Sequence, residues 1–170
     1  IGEVVRSGQQ FQYYAASALR QFGENIASTR DGVTVEITRE PVGVCGIISP
    51  WNFPIAIAAW KSAPAIAFGN AIVLKPASQT PASAIALTKI ISEQKDIPEG
   101  LFNLVLGGGG TIGHQISSHV NINAISFTGS VGVGQTIYLE AAKSMKKMQL
   151  EMGSKNPLVI MDDADLNIAV

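Results

Sequence analysis

"AIVLKPASQTPASAIALTKIISEQ", Ala71 to Gln94, carries the pattern that decides the fold. An apolar run, AIVLK, reads as a buried strand. A short polar turn follows. Thr80 is placed to cap a helix, Pro81 suits its first turn, and apolar residues then continue at helical spacing. Strand, turn and helix thus occur within one short stretch.

The same alternation runs outward in both directions. Upstream, "VGVCGIIS" reads as a buried strand, followed by a helix that Pro54 can open and Gly69-Asn70 can close. Further back, "GVTVEIT" alternates apolar and polar residues like a half-exposed strand. Residues 8–26 read as a helix with Phe11, Tyr14, Ala15, Ala18, Leu19 and Phe22 on one face. Downstream come strand "LFNLVL", helix "TIGHQISSH", strand "NAISFT", helix "VGQTIYLEAAKS", strand "KKMQLE" and strand "PLVIM". At the end, Asp165 can cap a last helix in "DDADLNIAV". Short strands alternating with helices predict an α/β fold, a mostly parallel, Rossmann-like sheet with helices on both faces.

Composition bounds the rest. The chain has 170 residues, a net charge of -1 and 46% hydrophobic residues, enough for one domain with a full core. Charged residues are only 15%, against about 25% in a typical soluble domain. The shortfall predicts a surface partly covered by another domain or subunit. No basic stripe points to nucleic acid, "KSMKK" being too short. No apolar run reaches the ~20 residues of a membrane span; "IAIAAWKSAPAIAFG" is broken by Lys61 and Pro64. The single cysteine excludes an internal disulfide. No signal-peptide pattern opens the chain, and the expected location is cytoplasmic, although a mitochondrial address removed earlier would leave the same picture. The chain starts without Met and stops inside a nascent helix, which predicts a piece of a longer polypeptide.

In a parallel sheet, ligands bind beyond the carboxyl ends of the strands. Five segments follow strands directly: "SPWNFP", "KPASQTP", "GGGGTIG", "TGSVGVG" and "EMGSKNP". Gly108, Gly110 and Gly113 fit the G-x-G-x-x-G spacing of a dinucleotide loop. That fingerprint also wants an acid about 20 residues on, and none precedes Glu140. The glycines therefore read as a tight turn with close backbone packing. "SFTGSVGVG" offers hydroxyls on Thr128 and Ser130 and a helix N-terminus open to an anion, or simply a capped helix. Lys75, ending a buried strand, either meets a ribose or phosphate or snorkels to water. Two prolines and two aromatics bracket Asn52, giving a stiff amide suited to an oxyanion, or an ordinary turn residue. Glu151 ends a strand beside Gly153, as a general base or as a surface carboxylate. His114 and His119 have no ligand-spaced partner, so no metal is expected.

Taken together and in this order, "EPVGVCGIISPWNFP", "AWKSAPAIAFGNAIVLKPASQTP", "PEGLFNLVLGGGGTIGHQI", "ISFTGSVGVG" and "LEMGSKNP" resemble the aldehyde dehydrogenase superfamily over nearly the whole chain. The resemblance implies that residues 1–170 are a partial coenzyme-binding domain. Residues near 33–40 would form a strand reaching towards the oligomerisation region, in a homo-oligomeric full-length protein, with the catalytic domain outside this chain. It implies NAD(P)-dependent oxidation of an aldehyde to a carboxylic acid. Asn52 would bind the carbonyl oxygen as it becomes an oxyanion, and Glu151 would activate water. Lys75 would contact the adenosine ribose, and Gly129 and Ser130 the pyrophosphate. The implied cofactor surface comprises Ile48, Ser49, Pro50, Trp51, Lys75, Ala77, Ser78, Gly108, Phe127, Thr128, Gly129 and Ser130.

Two positions depart from the family pattern. Ser78 stands where a glutamate commonly holds both ribose hydroxyls, so NADP is expected to serve at least as well as NAD. Ser154 stands where a glycine is usual. The family reaction also needs a cysteine thiolate. The only thiol here, Cys45, lies in an apolar strand, where burial leaves it inert; the nucleophile is expected beyond Val170. The alternative reading is a non-catalytic nucleotide-binding fragment. The stretch "PIAIAAWKSAPAIAFGN" resembles members acting on semialdehydes of dicarboxylic acids.

Overall fold

A computed structural model describes residues 2–169. Helix α1 (Gly2–Ala18) is followed by a hairpin of β1 (Glu24–Ala27) and β2 (Thr34–Ile37). The main series is β3 (Val44–Ile48), α2 (Ala56–Ala67), β4 (Ala71–Lys75), α3 (Pro81–Ser92), β5 (Phe102–Leu104), α4 (His114–Ser118), β6 (Ala124–Gly129), α5 (Val131–Ala142) and β7 (Lys147–Met152). A π-helical turn, Gly109–Gly113, leads into α4, and a short α6 (Leu166–Ala169) closes the described chain.

Strands β3 to β7 form one sheet in the order β5-β4-β3-β6-β7, every neighbouring pair parallel. Helices cover both of its faces, as the alternation predicts. On one face Ile47, Ile72 and Leu74 pack against Ala58 of α2 and Ala84, Leu87 and Ile91 of α3, with Phe11 of α1 added at the rim. On the other, Ile48, Ile125 and Phe127 pack against Ile116 of α4 and Ile137 and Ala141 of α5. Central strands of a parallel sheet are apolar on both faces, which is why neighbours Ile47 and Ile48 are both buried. Each such side chain contributes roughly 1.5–3 kcal/mol by leaving water.

The chain moves from β3 to β4 to β5 with α2 and α3 on one face. It then crosses to β6 and β7 with α4 and α5 on the other, as right-handed crossovers require. The direction of travel reverses between β3 and β6, so their carboxyl ends diverge there and leave a crevice. Register aligns these ends: Ile48 pairs with both Lys75 and Phe127, and Thr128 pairs with Glu151. At the opposite edge Asn70 joins two elements. Its Oδ1 accepts from the Val42 and Gly43 N–H at 2.8 and 3.1 Å, and its Nδ2 donates to the Ala65 carbonyl at 3.1 Å. Gly69 ends α2 at φ +80, a conformation that favours glycine.

Several expectations are corrected. The first helix ends at Ala18 rather than residue 26, and residues 24–27 are strand. Leu19 and Phe22, expected on the buried face, are 89% and 74% exposed. Their apolar spacing continues past the helix, but Gly23 interrupts it, and the chain turns out to pair Glu24 with Ile37. "PLVIM" forms no strand: Leu158 and Val159 are exposed, and no neighbouring strand takes up their backbone groups among the described residues. Thr80 sits at the cap position of α3, with Pro81 at the first turn, but its hydroxyl makes no capping bond. Asp165 does cap α6, accepting the Asn167 N–H at 2.9 Å.

Candidate functional site

A cleft of about 900 Å³ opens at the carboxyl ends of β3, β6 and β7, at the reversal of strand order. The turn after β3 supplies Pro50, Trp51 and Asn52. The end of β6 supplies Thr128, Gly129 and Ser130, and β7 supplies Glu151. Residues from five segments of sequence thus share one wall system, completed by Tyr14 of α1 and Ile57, Trp60 and Lys61 of α2.

Asn52 lies in the turn between β3 and α2. The turn is tied down beyond it: the Ile57 N–H donates to the Phe53 carbonyl at 3.1 Å, and Glu3 of α1 accepts the Ile55 and Ala56 N–H at 3.3 and 3.2 Å. That carboxylate satisfies two of the N–H groups a helix start leaves unpaired and suits the positive end of its dipole.

Gly129 ends β6 directly over the Phe127 ring, which a Cβ at that position would meet at 2.5 Å. Only glycine lets the backbone bend that closely into the cleft. Phe127 itself is buried in the core and does not face the cleft, and the same holds for Ile48. Ser130 starts α5, but its side chain makes no capping bond. The first N–H groups of α5 therefore keep their donors free of side-chain partners.

A second group lies along the edge of β4. Lys75 is 4% exposed, donates only to the Pro76 carbonyl at 2.8 Å, and burial lowers its pKa. A buried ammonium with one neutral partner among the described residues is short of counter-charge. Ser49, just past the end of β3, is buried with its hydroxyl unpaired, while its N–H donates to the Lys75 carbonyl at 3.1 Å. Ser78 is exposed and donates to the Gly107 carbonyl at 3.3 Å, tying the "KPAS" turn to the glycine loop; Ala77 is half-buried between them.

The glycine loop answers to a different rule than its spacing suggests. Gly108, Gly110 and Gly113 all have open space or ordinary contact where a Cβ would lie. The position that needs glycine is Gly107, at φ +152, where a Cβ would lie 2.5 Å from the Ile112 side chain. The close packing expected of this turn is real but sits one residue before the G-x-G-x-x-G frame.

Sequence reasoning missed the floor of the cleft. Lys61 donates to Ser126 Oγ at 2.7 Å and to Gln149 Oε1 at 2.9 Å. Ser126 Oγ also donates to Gln149 Oε1, and Gln149 Nε2 donates to Glu151 Oε1 at 2.9 Å. Burial lowers the Lys61 pKa to about 8, and the Glu151 carboxylate works against that fall. The available signal was Lys61 itself, the one charge in the apolar helix "AIAAWKSAPAIA", together with the shared face of Gln149 and Glu151 on β7. Cys45 is half-buried near the amino end of β3, paired with Ile72 and Ala124, and burial raises its pKa. It does not line the cleft.

Comparison with known proteins identifies the family. Residues 1–170 match the aldehyde dehydrogenase family. Alpha-ketoglutaric semialdehyde dehydrogenase of Bacillus subtilis is 45% identical over 170 residues, covering 99% of this chain and 34% of that protein. Betaine aldehyde dehydrogenase from Staphylococcus aureus, solved in complex with NAD+, superposes with a TM-score of 0.93 at 38% identity, covering 98% of this chain and 33% of that one. An NADP-dependent enzyme from E. coli superposes with a TM-score of 0.93 at 38% identity, covering 99% and 35%. The chain spans about a third of the length of these relatives. With the doubly wound sheet, the switch-point cleft and the match over its full length, this chain belongs to the aldehyde dehydrogenase family.

Proposed function

We propose that this chain supplies the coenzyme site, the oxyanion amide and the general base of an enzyme that oxidises an aldehyde to a carboxylic acid with NAD(P). The observation that carries the reading is that Asn52 and Glu151, far apart along the chain, line one cleft at the switch point.

The residues fit a dinucleotide. The buried unpaired Ser49 hydroxyl and the partner-poor Lys75 suit a polar ligand along β4. The close turn at Gly129 and the uncapped start of α5 suit a phosphate at the switch point. The nicotinamide, when bound, accepts the hydride. Pro50, Trp51 and Thr128 would hold the nicotinamide side, Gly129 and Ser130 the pyrophosphate, and Lys75, Ala77, Ser78 and the Gly108 loop the adenosine end.

The chain's own chemistry then has two parts. The Asn52 amide N–H donates to the carbonyl oxygen as negative charge develops there, the term that is commonly largest in acyl transfer. Glu151 takes a proton from water, whose oxygen attacks the acyl carbon as the thiolate leaves. That thiolate would come from another part of the polypeptide, because Cys45 does not line the cleft that Asn52 and Glu151 share and burial raises its pKa.

The hairpin of β1 and β2 stands apart from the main sheet, with Ile26, Val33, Val35 and Ile37 exposed. These apolar side chains support residues 33–40 as the arm by which a partial coenzyme-binding domain reaches the oligomerisation region of a cytoplasmic homo-oligomer. The semialdehyde of a dicarboxylic acid is the proposed substrate class, supported by the "PIAIAAWKSAPAIAFGN" stretch. Assay of the full-length protein against 2-oxoglutaric semialdehyde, succinic semialdehyde, betaine aldehyde and lactaldehyde tests it. A kcat/KM highest for one of the first two supports this class, and a preference for either of the others removes it. Failure to reduce NAD or NADP with any aldehyde removes the enzymatic reading.

A further inference from the structure

The bonds across the cleft floor settle which way one side chain points. A lysine ammonium has only protons to give. The atom of Gln149 at 2.9 Å from Lys61 Nζ is therefore its carbonyl oxygen, and the Ser126 hydroxyl donates to the same oxygen. Both donors come from elements other than β7: Lys61 from α2 and Ser126 from β6. With Oε1 held from two sides, the amide nitrogen has to face along the strand, where Glu151 Oε1 lies 2.9 Å away. Gln149 and Glu151 are two residues apart on β7 and so share a face of the sheet. Among the described residues this is the only hydrogen bond the Glu151 carboxylate receives. It leaves Oε2 free.

We propose that Gln149 is a positioning residue for Glu151. Its amide, oriented by Lys61 and Ser126, anchors one carboxylate oxygen so that the other is presented to water. The inference rests on Glu151 being the general base. A glutamate has three side-chain torsions and sits here at an open strand end, so an untethered carboxylate samples many positions. One fixed oxygen removes most of that freedom. A hydrophobic side chain at position 149 would leave Lys61 with Ser126 alone and Glu151 with none of these bonds.

The test uses the full-length enzyme. Acyl-enzyme is formed in a rapid mix with aldehyde and oxidised cofactor, and its formation and decay are followed separately by quenched-flow mass measurement. Gln149→Met is expected to slow decay about tenfold, a fraction of the ~10²–10⁴ that a positioned base contributes. Formation and cofactor affinity should stay within twofold. Loss of folded protein lowers both amplitudes together and cannot change the ratio of the two rates. Ser126→Ala, a smaller change that keeps the Lys61–Gln149 bond, should slow decay in the same sense by less. In a Glu151→Gln background, Gln149→Met should add nothing. Decay unchanged or faster in both Gln149→Met and Ser126→Ala overturns the inference while Glu151→Gln still blocks decay. If Glu151→Gln leaves decay unchanged, the base assignment itself falls.

Discussion

Lys61 on α2 and Gln149 on β7 meet across the cleft floor, the ammonium donating to the amide oxygen at 2.9 Å. One sits in a helix that is otherwise apolar, the other on a strand more than eighty residues later. Their contact explains how a charged residue is held among Ala, Trp and Pro side chains, and it sets up a pH dependence.

Burial lowers the Lys61 pKa from 10.5 to about 8. Below about pH 8 the amine is charged in both folded and unfolded chains, and the folded state bears the full cost of desolvating it. Between about 8 and 10.5 the unfolded chain binds more protons, so this group's contribution to stability rises with pH across that window. Lys61→Met removes the effect. The difference in Tm, variant minus wild type, should be largest below pH 8 and shrink towards pH 10.5. A difference independent of pH, in thermal scans from pH 6 to 10.5, contradicts the account.

Glu151→Gln in the full-length enzyme should cut turnover by about 10²–10⁴, the usual contribution of a positioned base, with cofactor affinity near normal. Asn52→Ala should cost on the order of 2.7–4 kcal/mol of transition-state stabilisation, the scale of one oxyanion donor. Steady-state kinetics with cofactor titration measure both. Unchanged turnover in either variant takes that residue out of the mechanism.

Ser78→Glu should lower the ratio of kcat/KM with NADP to kcat/KM with NAD. Ser78 is exposed and bonded to the Gly107 carbonyl, and a carboxylate there would repel a 2′-phosphate. The wild type should use NADP at least as well as NAD. A wild-type preference for NAD beyond tenfold, about 1.4 kcal/mol, contradicts the serine argument. A ratio unmoved by Ser78→Glu removes Ser78 from the ribose.

The two kinds of glycine in "GGGG" should separate on substitution. Gly107→Ala forces a side chain into a left-handed conformation and against Ile112, and should cost about 1–3 kcal/mol. Gly110→Ala meets open space and should change stability by less than about 1 kcal/mol. Denaturant titration of the two variants decides it; equal losses would place the constraint elsewhere.

Fold class was written in the sequence because it depends on local periodicity. AIVLK followed by a polar turn and a Pro-opened helix reads as a βα unit, and repetition of such units leaves a parallel sheet as the outcome. The turns that follow strands were legible for the same reason, so "SPWNFP", "TGS" and "LEMGS" point to residues that do line the cleft. Strand order, register and the side of the sheet each helix covers depend on packing between distant segments. They alone decide that Thr128 lies beside Glu151, and that Phe127 faces the core. The end of α1 was misjudged because an apolar stripe can continue past a helix; here Leu19 and Phe22 follow the spacing yet remain exposed. Lys61, Ser126 and Gln149 were invisible as a group because their polar atoms satisfy one another only once α2, β6 and β7 are assembled, and no spacing along the chain encodes that meeting.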